Sequence, residues 1–178
     1  SLQKNQDAYN RVEDRARSIE RRTEEQILRC KRQIEESKHN LISIKSEASV
    51  IKRNIKIDKD ALKLKKSAYK SHKKLIKSTE GSSPANNYNL IQMQDDIKLL
   101  NLKIEESQRY LKSVTASLKY DKESIKSANQ TIKNCKSEYQ AIKAELKEAK
   151  KVLQASMKDF DNADKLLKNA KKKKEGGK

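Results

Sequence analysis

Apolar residues recur with a seven-residue period along two long tracts that contain neither Gly nor Pro. In the second tract, alternating steps of four and three residues run from Met93 to Ala170, and only Ser107, Asp121 and Ser156 on this path are clearly polar. A period of 3.5 residues kept over this length predicts a left-handed coiled coil, because it holds one apolar stripe against a partner helix.

The first tract carries the same repeat up to Ile55. Its apolar path passes through Val12, Ala16, Ile19, Thr23, Ile27, Cys30, Ile34, Ser37, Leu41, Ile44, Ala48, Ile51 and Ile55. Beyond Ile55 the path reaches Asp58, Lys65 and His72, and a polar side chain between two helices must pair, extend to water or separate them. We therefore expect looser packing near the middle of the chain than towards its ends.

The two tracts share one register. When the chain is folded back about its centre, residues whose numbers sum to 165 or 166 face each other, such as Ile34 with Ile132 and Ile55 with Leu111. Pro84, the single proline, and Gly81 lie at the fold-back point. The sequence predicts an all-α protein, a long antiparallel two-helix coiled-coil hairpin. Its parts are an arm over about 5–78, a loop over about 79–89, an arm over about 90–172 and a basic tail over 173–178.

This register places Cys30 opposite Cys135. Two interpretations follow: a pair of small buried thiols, or a disulfide that clamps the hairpin. Facing positions of a coiled coil can bring Cα atoms within the roughly 7 Å that a disulfide needs.

Composition agrees with a narrow two-helix interface. Lys and Arg number 43 against 25 Asp and Glu, the net charge is +18, and only 34% of residues are hydrophobic. That share is too small for a sizeable globular core. No apolar run reaches the roughly 18 residues of a transmembrane helix, and the N-terminus lacks a signal-peptide pattern. We expect a piece of a longer protein, because the apolar path of the second arm at Leu167 and Ala170 extends past the first arm.

The predicted loop and the lysines before it form the candidate binding surface. A long rod with an elaborated end favours contact at that end, and Tyr is a frequent hot-spot residue. The contact residues we predict are Glu80, Ser82, Ser83, Pro84, Asn86, Asn87, Tyr88 and Asn89. Lys70, Lys73, Lys74 and Lys77 are predicted to steer an acidic partner. The alternative for the loop is an ordinary solvated turn, and the alternative for the lysines is a solvated charged face of the coiled coil.

Enzymatic chemistry lacks support in the sequence. His39 and His72 are about 50 Å apart along one predicted helix, so they cannot act together. No group of residues has metal-ligand or phosphate-loop spacing. We predict no enzymatic activity, no cofactor, no metal and no small-molecule substrate. Nucleic acid is a weaker expectation than a protein partner, because the lysines are not interleaved with aromatic residues.

Short stretches at both ends of the hairpin resemble a known family. Tyr9-Asn10-Arg11-Val12 is similar to the stretch that opens the receptor-binding domain of E-group nuclease colicins and related bacteriocins. Ala155-Ser156-Met157 and the lysine-rich 165–174 resemble the stretch that leads to the toxic domain of that family. The resemblance covers the whole architecture, but it covers the sequence only at these two ends.

The resemblance implies a secreted antimicrobial toxin segment, here a monomer, that acts at the outer membrane of target bacteria. Its loop would dock onto an outer-membrane transporter. The loop differs from that of the E group, so the vitamin B12 transporter and a siderophore receptor are both open. Import in the family requires the hairpin to separate, which a disulfide would oppose. A structural spacer coiled coil, a basic nucleic-acid-binding arm and a domain-swapped dimer remain alternatives.

Overall fold

The chain folds as an all-α antiparallel helical hairpin, as the repeat predicted. The structure is a computed structural model, and it describes residues 1–79 and 83–176. Helix α1 is Leu2–Ser78 and helix α2 is Pro84–Gly176. The predicted limits are wrong at three points: arm one begins before residue 5, residues 84–89 are helical rather than loop, and α2 includes residues 173–176 of the predicted tail.

Both helices begin at a serine cap. The backbone N–H of Lys4 donates to the Ser1 hydroxyl at 3.3 Å, and that of Asn86 donates to the Ser83 hydroxyl at 3.2 Å. Pro84 occupies the first helical position, where its missing N–H costs nothing and its fixed φ suits the helix. The structural role of Pro84 is therefore to start α2. Our loop prediction treated it as a residue of the turn.

The chain comprises two compact units, and each contains a segment of both helices. Unit 1 combines Ser1–Ile34 with Lys126–Lys178. Its buried positions keep the predicted repeat and are Thr23, Cys30, Ile34, Ala128, Cys135, Ile142 and Leu153. The Thr23 hydroxyl is satisfied within α1, because it donates towards the carbonyl of Ile19 at 2.8 Å and that of Glu20 at 3.0 Å.

Ion pairs flank the buried positions of unit 1. Arg15 pairs with Glu145 and Arg22 with Glu138, so both helices contribute residues seven positions apart. This spacing is typical of the flanking charges that orient coiled-coil helices. Because the side chains are about half exposed, such pairs contribute about 0–1 kcal/mol each and act mainly on register.

Beyond Ser156 the end of α2 has no buried residue. All of residues 157–176 are exposed, including Phe160 and Leu167. The prediction that Leu167 and Ala170 find no partner on the first arm is confirmed for the described residues.

Unit 2 spans Glu35–Ile125 and holds the main apolar cluster. Ala48, Ile51, Ile55 and Val114 are buried together, with Ile44 and Leu111 packed against them. This grouping agrees with the predicted register, in which Ile51 faces Val114 and Ile55 faces Leu111. The apolar positions of α1 form one narrow stripe that is buried against α2, and burial of this stripe fixes the register.

Two carboxylates lie among the buried positions of unit 2, Asp58 and Asp121. Asp58 Oδ1 lies 3.6 Å from Lys103 Nζ, whereas Asp58 Oδ2 is buried without a hydrogen-bond partner in the described structure. Lys65, which the register also placed between the helices, is exposed. The long lysine side chain reaches water where the shorter aspartate cannot.

Candidate functional site

The candidate site is the part of unit 2 on either side of the fold-back point. Ser83 caps α2, and Asn86, Asn87, Tyr88 and Asn89 lie in its first two turns. Tyr88 has 66% of its surface exposed, Asn87 and Asn89 are exposed, and Asn86 is half-buried. Because these residues are helical, their side chains are held in a fixed arrangement that a loop would not give them.

Two of the predicted contact residues, Glu80 and Ser82, lie outside the described residues, as does Gly81. The described part of the predicted contact set is therefore the cap Ser83, the helix-starting Pro84 and the four residues from Asn86 to Asn89. The structure brings these six together at the first turns of α2.

The four predicted steering lysines lie in the last two and a half turns of α1 and are all exposed. Within residues 1–79 and 83–176, none of Lys70, Lys73, Lys74 and Lys77 has a carboxylate within ion-pair distance. Lys73 Nζ instead lies 5.9 Å from the centroid of the Tyr69 ring, a cation–π contact. The cluster therefore presents positive charge that residues 1–79 and 83–176 do not neutralise through an ion pair.

A direct polar contact joins the helices at this end. Gln94 Nε2 donates to the Tyr69 hydroxyl at 2.7 Å. Sequence reasoning missed this bond, although the two numbers sum to 163 and so lie close to the predicted register. Tyr69 is thereby held from both sides, by Gln94 through its hydroxyl and by Lys73 over its ring.

Packing between the helices is weak here. No residue in 59–79 or 83–103 is fully buried, whereas four residues are buried in 48–58 and three in 104–121. His72 is half-buried, and its Nε2 is enclosed with no hydrogen-bond partner among the described residues. The candidate site therefore sits on the least tightly packed part of unit 2.

The two cysteines lie in unit 1 and are buried free thiols. Cys135 Sγ donates to Gln26 Oε1 at 3.3 Å. Burial raises the pKa of Cys135, with further contributions from nearby Cys30 and Glu138, and Arg22 opposes them. A raised pKa reduces the thiolate that disulfide exchange needs. The structure holds the free-thiol form, and the disulfide between Cys30 and Cys135 stays a prediction.

Two searches of the described residues bear on other kinds of site. No group of three or more His, Cys, Asp or Glu side chains there is arranged to hold a metal ion. Neither helix, over its described length, has a stretch apolar enough to cross a bilayer.

A further set of exposed apolar residues escaped the sequence analysis. On α1, Ile42, Val50, Ile57, Leu64 and Leu75 face solvent within unit 2. The signal that could have found them is a second seven-residue spacing at positions 50, 57 and 64, parallel to the buried one.

Comparison of the chain with protein-family models, with curated proteins and with solved structures gives no significant match. The geometry of unit 2 and the short resemblances at the two ends of the hairpin are therefore what a functional proposal can use.

Proposed function

We propose that this hairpin is the receptor-binding segment of a bacteriocin and that its loop end docks onto an outer-membrane nutrient receptor of a target bacterium. The observation that carries the proposal is the exposed Tyr88 on a capped helix start. A large amphipathic side chain on a fixed backbone loses little conformational entropy on binding, which is why Tyr is common at binding hot spots.

Unpaired charge supports the same proposal. Lys70, Lys74 and Lys77 are exposed beside the fold-back point and have no carboxylate partner in the described chain. A positive end attracts acidic loops and raises the association rate, especially at low salt. The partner we propose therefore presents an apolar pocket for Tyr88 within an acidic surround.

The weak packing next to the site also fits this role. Segments 59–79 and 83–103 bury no residue completely, and His72 Nε2 and Asp58 Oδ2 are enclosed without partners. Each unsatisfied buried polar atom costs about 1–3 kcal/mol. A bacteriocin whose hairpin must separate during import benefits from an end that opens at low cost, whereas a spacer does not.

Binding to outer-membrane vesicles from a panel of Gram-negative strains tests the proposal. Tyr88→Ala should weaken saturable binding of the labelled hairpin at least tenfold, the loss typical of a hot-spot residue. The matched control is Tyr120→Ala, because Tyr120 is also on α2 in unit 2 and is 70% exposed. It should leave binding unchanged.

A second pair of variants tests the steering lysines. Replacing Lys70, Lys74 and Lys77 by Gln should slow association and reduce its salt dependence, whereas replacing the exposed Lys112, Lys119 and Lys122 should not. Saturable binding to no strain would contradict the proposal and leave the spacer interpretation. Equal loss in both lysine variants, together with salt-sensitive RNA binding, would favour the nucleic-acid interpretation.

A further inference from the structure

Helix α1 carries a second apolar line on the side turned away from α2. It consists of Ile42, Val50, Ile57, Leu64 and Leu75, whose exposed fractions run from 46% to 73%. At 3.6 residues per turn these five positions fall within about 80° of one another and about 140° around the helix from the buried stripe. Ala61 and Ala68 lie along the same line. Unit 2 therefore has an apolar face that nothing in the described chain covers.

Lysines are concentrated along one side of this line. We call them the lysine edge: Lys45, Lys52, Lys56, Lys59, Lys63, Lys70, Lys74 and Lys77. All eight are exposed, and none has a carboxylate within ion-pair distance in residues 1–79 and 83–176. The helical repeat places them about 90–150° from the centre of the line, and Asp60, about 50° from that centre on the same side, is the acidic residue nearest to the edge. The opposite border is mixed, with Glu47, Asn54 and Lys65.

We propose that this face of α1 binds an acidic amphipathic helix of a partner protein. From Ile42 to Leu75 the line is about 50 Å long, which is the length of a helix of about 33 residues rather than of a pocket. The spacing of Val50, Ile57 and Leu64 by sevens matches the repeat with which one helix packs along another. The lysine edge then requires Glu or Asp along one flank of the incoming helix.

Other occupants fit the face less well. A second copy packed antiparallel through α1 would bring two lysine edges together, and like charges repel. A parallel copy would set each lysine edge against the mixed border, where Glu47 is the acidic residue. An anionic membrane surface favours lysines on both borders of an apolar face, and here Arg53 and Asp60 also lie within the line. Against a helical partner, Arg53 and Asp60 can instead pair with opposite charges and so fix the register of the two helices. Nucleic acid would leave the apolar residues without a contact. This inference shares Lys70, Lys74 and Lys77 with the proposed receptor docking but does not require it.

The test uses the whole chain and two labelled synthetic helices of about 35 residues, with Leu at the apolar heptad positions. The acidic probe has Glu at the flanking positions, and the basic probe has Lys there. Fluorescence anisotropy should show saturable binding of the acidic probe and at least 100-fold weaker binding of the basic probe. Ile57→Ser with Leu64→Ser should weaken binding of the acidic probe at least tenfold.

Two matched controls separate this face from general stickiness. Leu99→Ser with Leu102→Ser removes equally exposed leucines from α2 and should leave the affinity unchanged. Lys56→Gln with Lys63→Gln on the lysine edge should weaken binding of the acidic probe several-fold, whereas Lys66→Gln with Lys73→Gln, on the far side of α1 from the line, should not. All substituted side chains are exposed, so the variants should keep the far-ultraviolet circular dichroism of the parent.

Several results would overturn the inference. Equal binding of both probes, or no binding of either, would remove the charge argument. An equal loss with the α2 leucine variant would show non-specific apolar contact. Sedimentation that shows a dimer dissolved by Ile57→Ser with Leu64→Ser would assign the face to a second copy. Binding to vesicles of phosphatidylcholine and phosphatidylglycerol that the same pair abolishes, without peptide binding, would assign it to a membrane surface.

Discussion

Replacing Asp58 by Leu should stabilise the hairpin. Asp58 lies among the buried positions of unit 2, its Oδ2 has no hydrogen-bond partner in the described structure, and its Oδ1 is 3.6 Å from the mostly exposed Lys103 Nζ. Leu at this position would continue the apolar stripe past Ile55. It would remove the unsatisfied atom and bring apolar surface out of water.

The magnitude follows from four contributions. Relief of an unsatisfied buried oxygen is worth about 1–3 kcal/mol, and burial of a Leu side chain is worth about 1.5–3 kcal/mol. Loss of the pair with exposed Lys103 costs about 0–1 kcal/mol. Strain from fitting the branched side chain opposite Ser107 offsets part of the gain, by about 1–3 kcal/mol. We expect a net stabilisation of about 2 kcal/mol, which corresponds to about 4–8 °C in Tm for a chain of this size.

Thermal unfolding followed by circular dichroism at neutral pH measures this effect. The control is Asp95→Leu, because Asp95 is an exposed aspartate on α2 in the same unit, and its replacement should change Tm by no more than about 1–2 °C. If Asp58→Leu leaves Tm unchanged or lowers it while helical content is kept, Asp58 is not an unfavourable buried charge. The account of the polar positions in unit 2 would then fail.

Three further predictions concern packing, capping and the thiols. Amides of residues 59–79 and 83–103 should exchange hydrogen faster than the rest of unit 2, because those segments bury no residue completely; uniform protection measured by mass spectrometry would contradict this. Ser83→Ala should lower the free energy of unfolding by about 1 kcal/mol because it removes the cap of α2, whereas Ser113→Ala in mid-helix should not lower it; chemical unfolding measures both. Cys135 should react with iodoacetamide more slowly than an exposed thiol, and its rate should still rise above pH 9, because its raised pKa delays thiolate formation; a rate that levels off below pH 9 would refute this.

Residue spacing alone predicted the hairpin and its register. The reason is physical: two stripes of Ile, Leu and Val are buried together only when they face each other, and a shift by anything other than a whole heptad would expose several residues at once. The contacts of Ile51 and Ile55 with Val114 and Leu111 follow from that alignment. The loose packing near the fold-back point was also visible, since Asp58, Lys65 and His72 stand where apolar residues would be needed.

The extent of the loop was wrong because Pro was weighed as a helix breaker. Ser83-Pro84 is also a start signal, since the serine hydroxyl caps the helix and proline suits its first position. With that signal applied, Tyr88 would have been placed on a helix rather than in a loop. The contacts of single polar side chains, such as Gln94 with Tyr69, depend on side-chain rotamers and could not be read from spacing.

The order of residues within two successive heptads of α1 favours a second partner for this helix. At 57–58 and at 64–65, the apolar residue faces water and the charged residue takes the position that the repeat assigns to the interface with α2. Exchanging each pair would extend the buried stripe by two apolar side chains at no change in composition. Selection for hairpin stability alone would favour the exchanged order, since burial of each side chain is worth about 1.5–3 kcal/mol. Ile57 and Leu64 are expected to stay on the exposed face of α1 if a partner buries them on binding. Asp58 and Lys65, at the positions that the repeat assigns to the interface, then keep the free energy of separating α1 from α2 low.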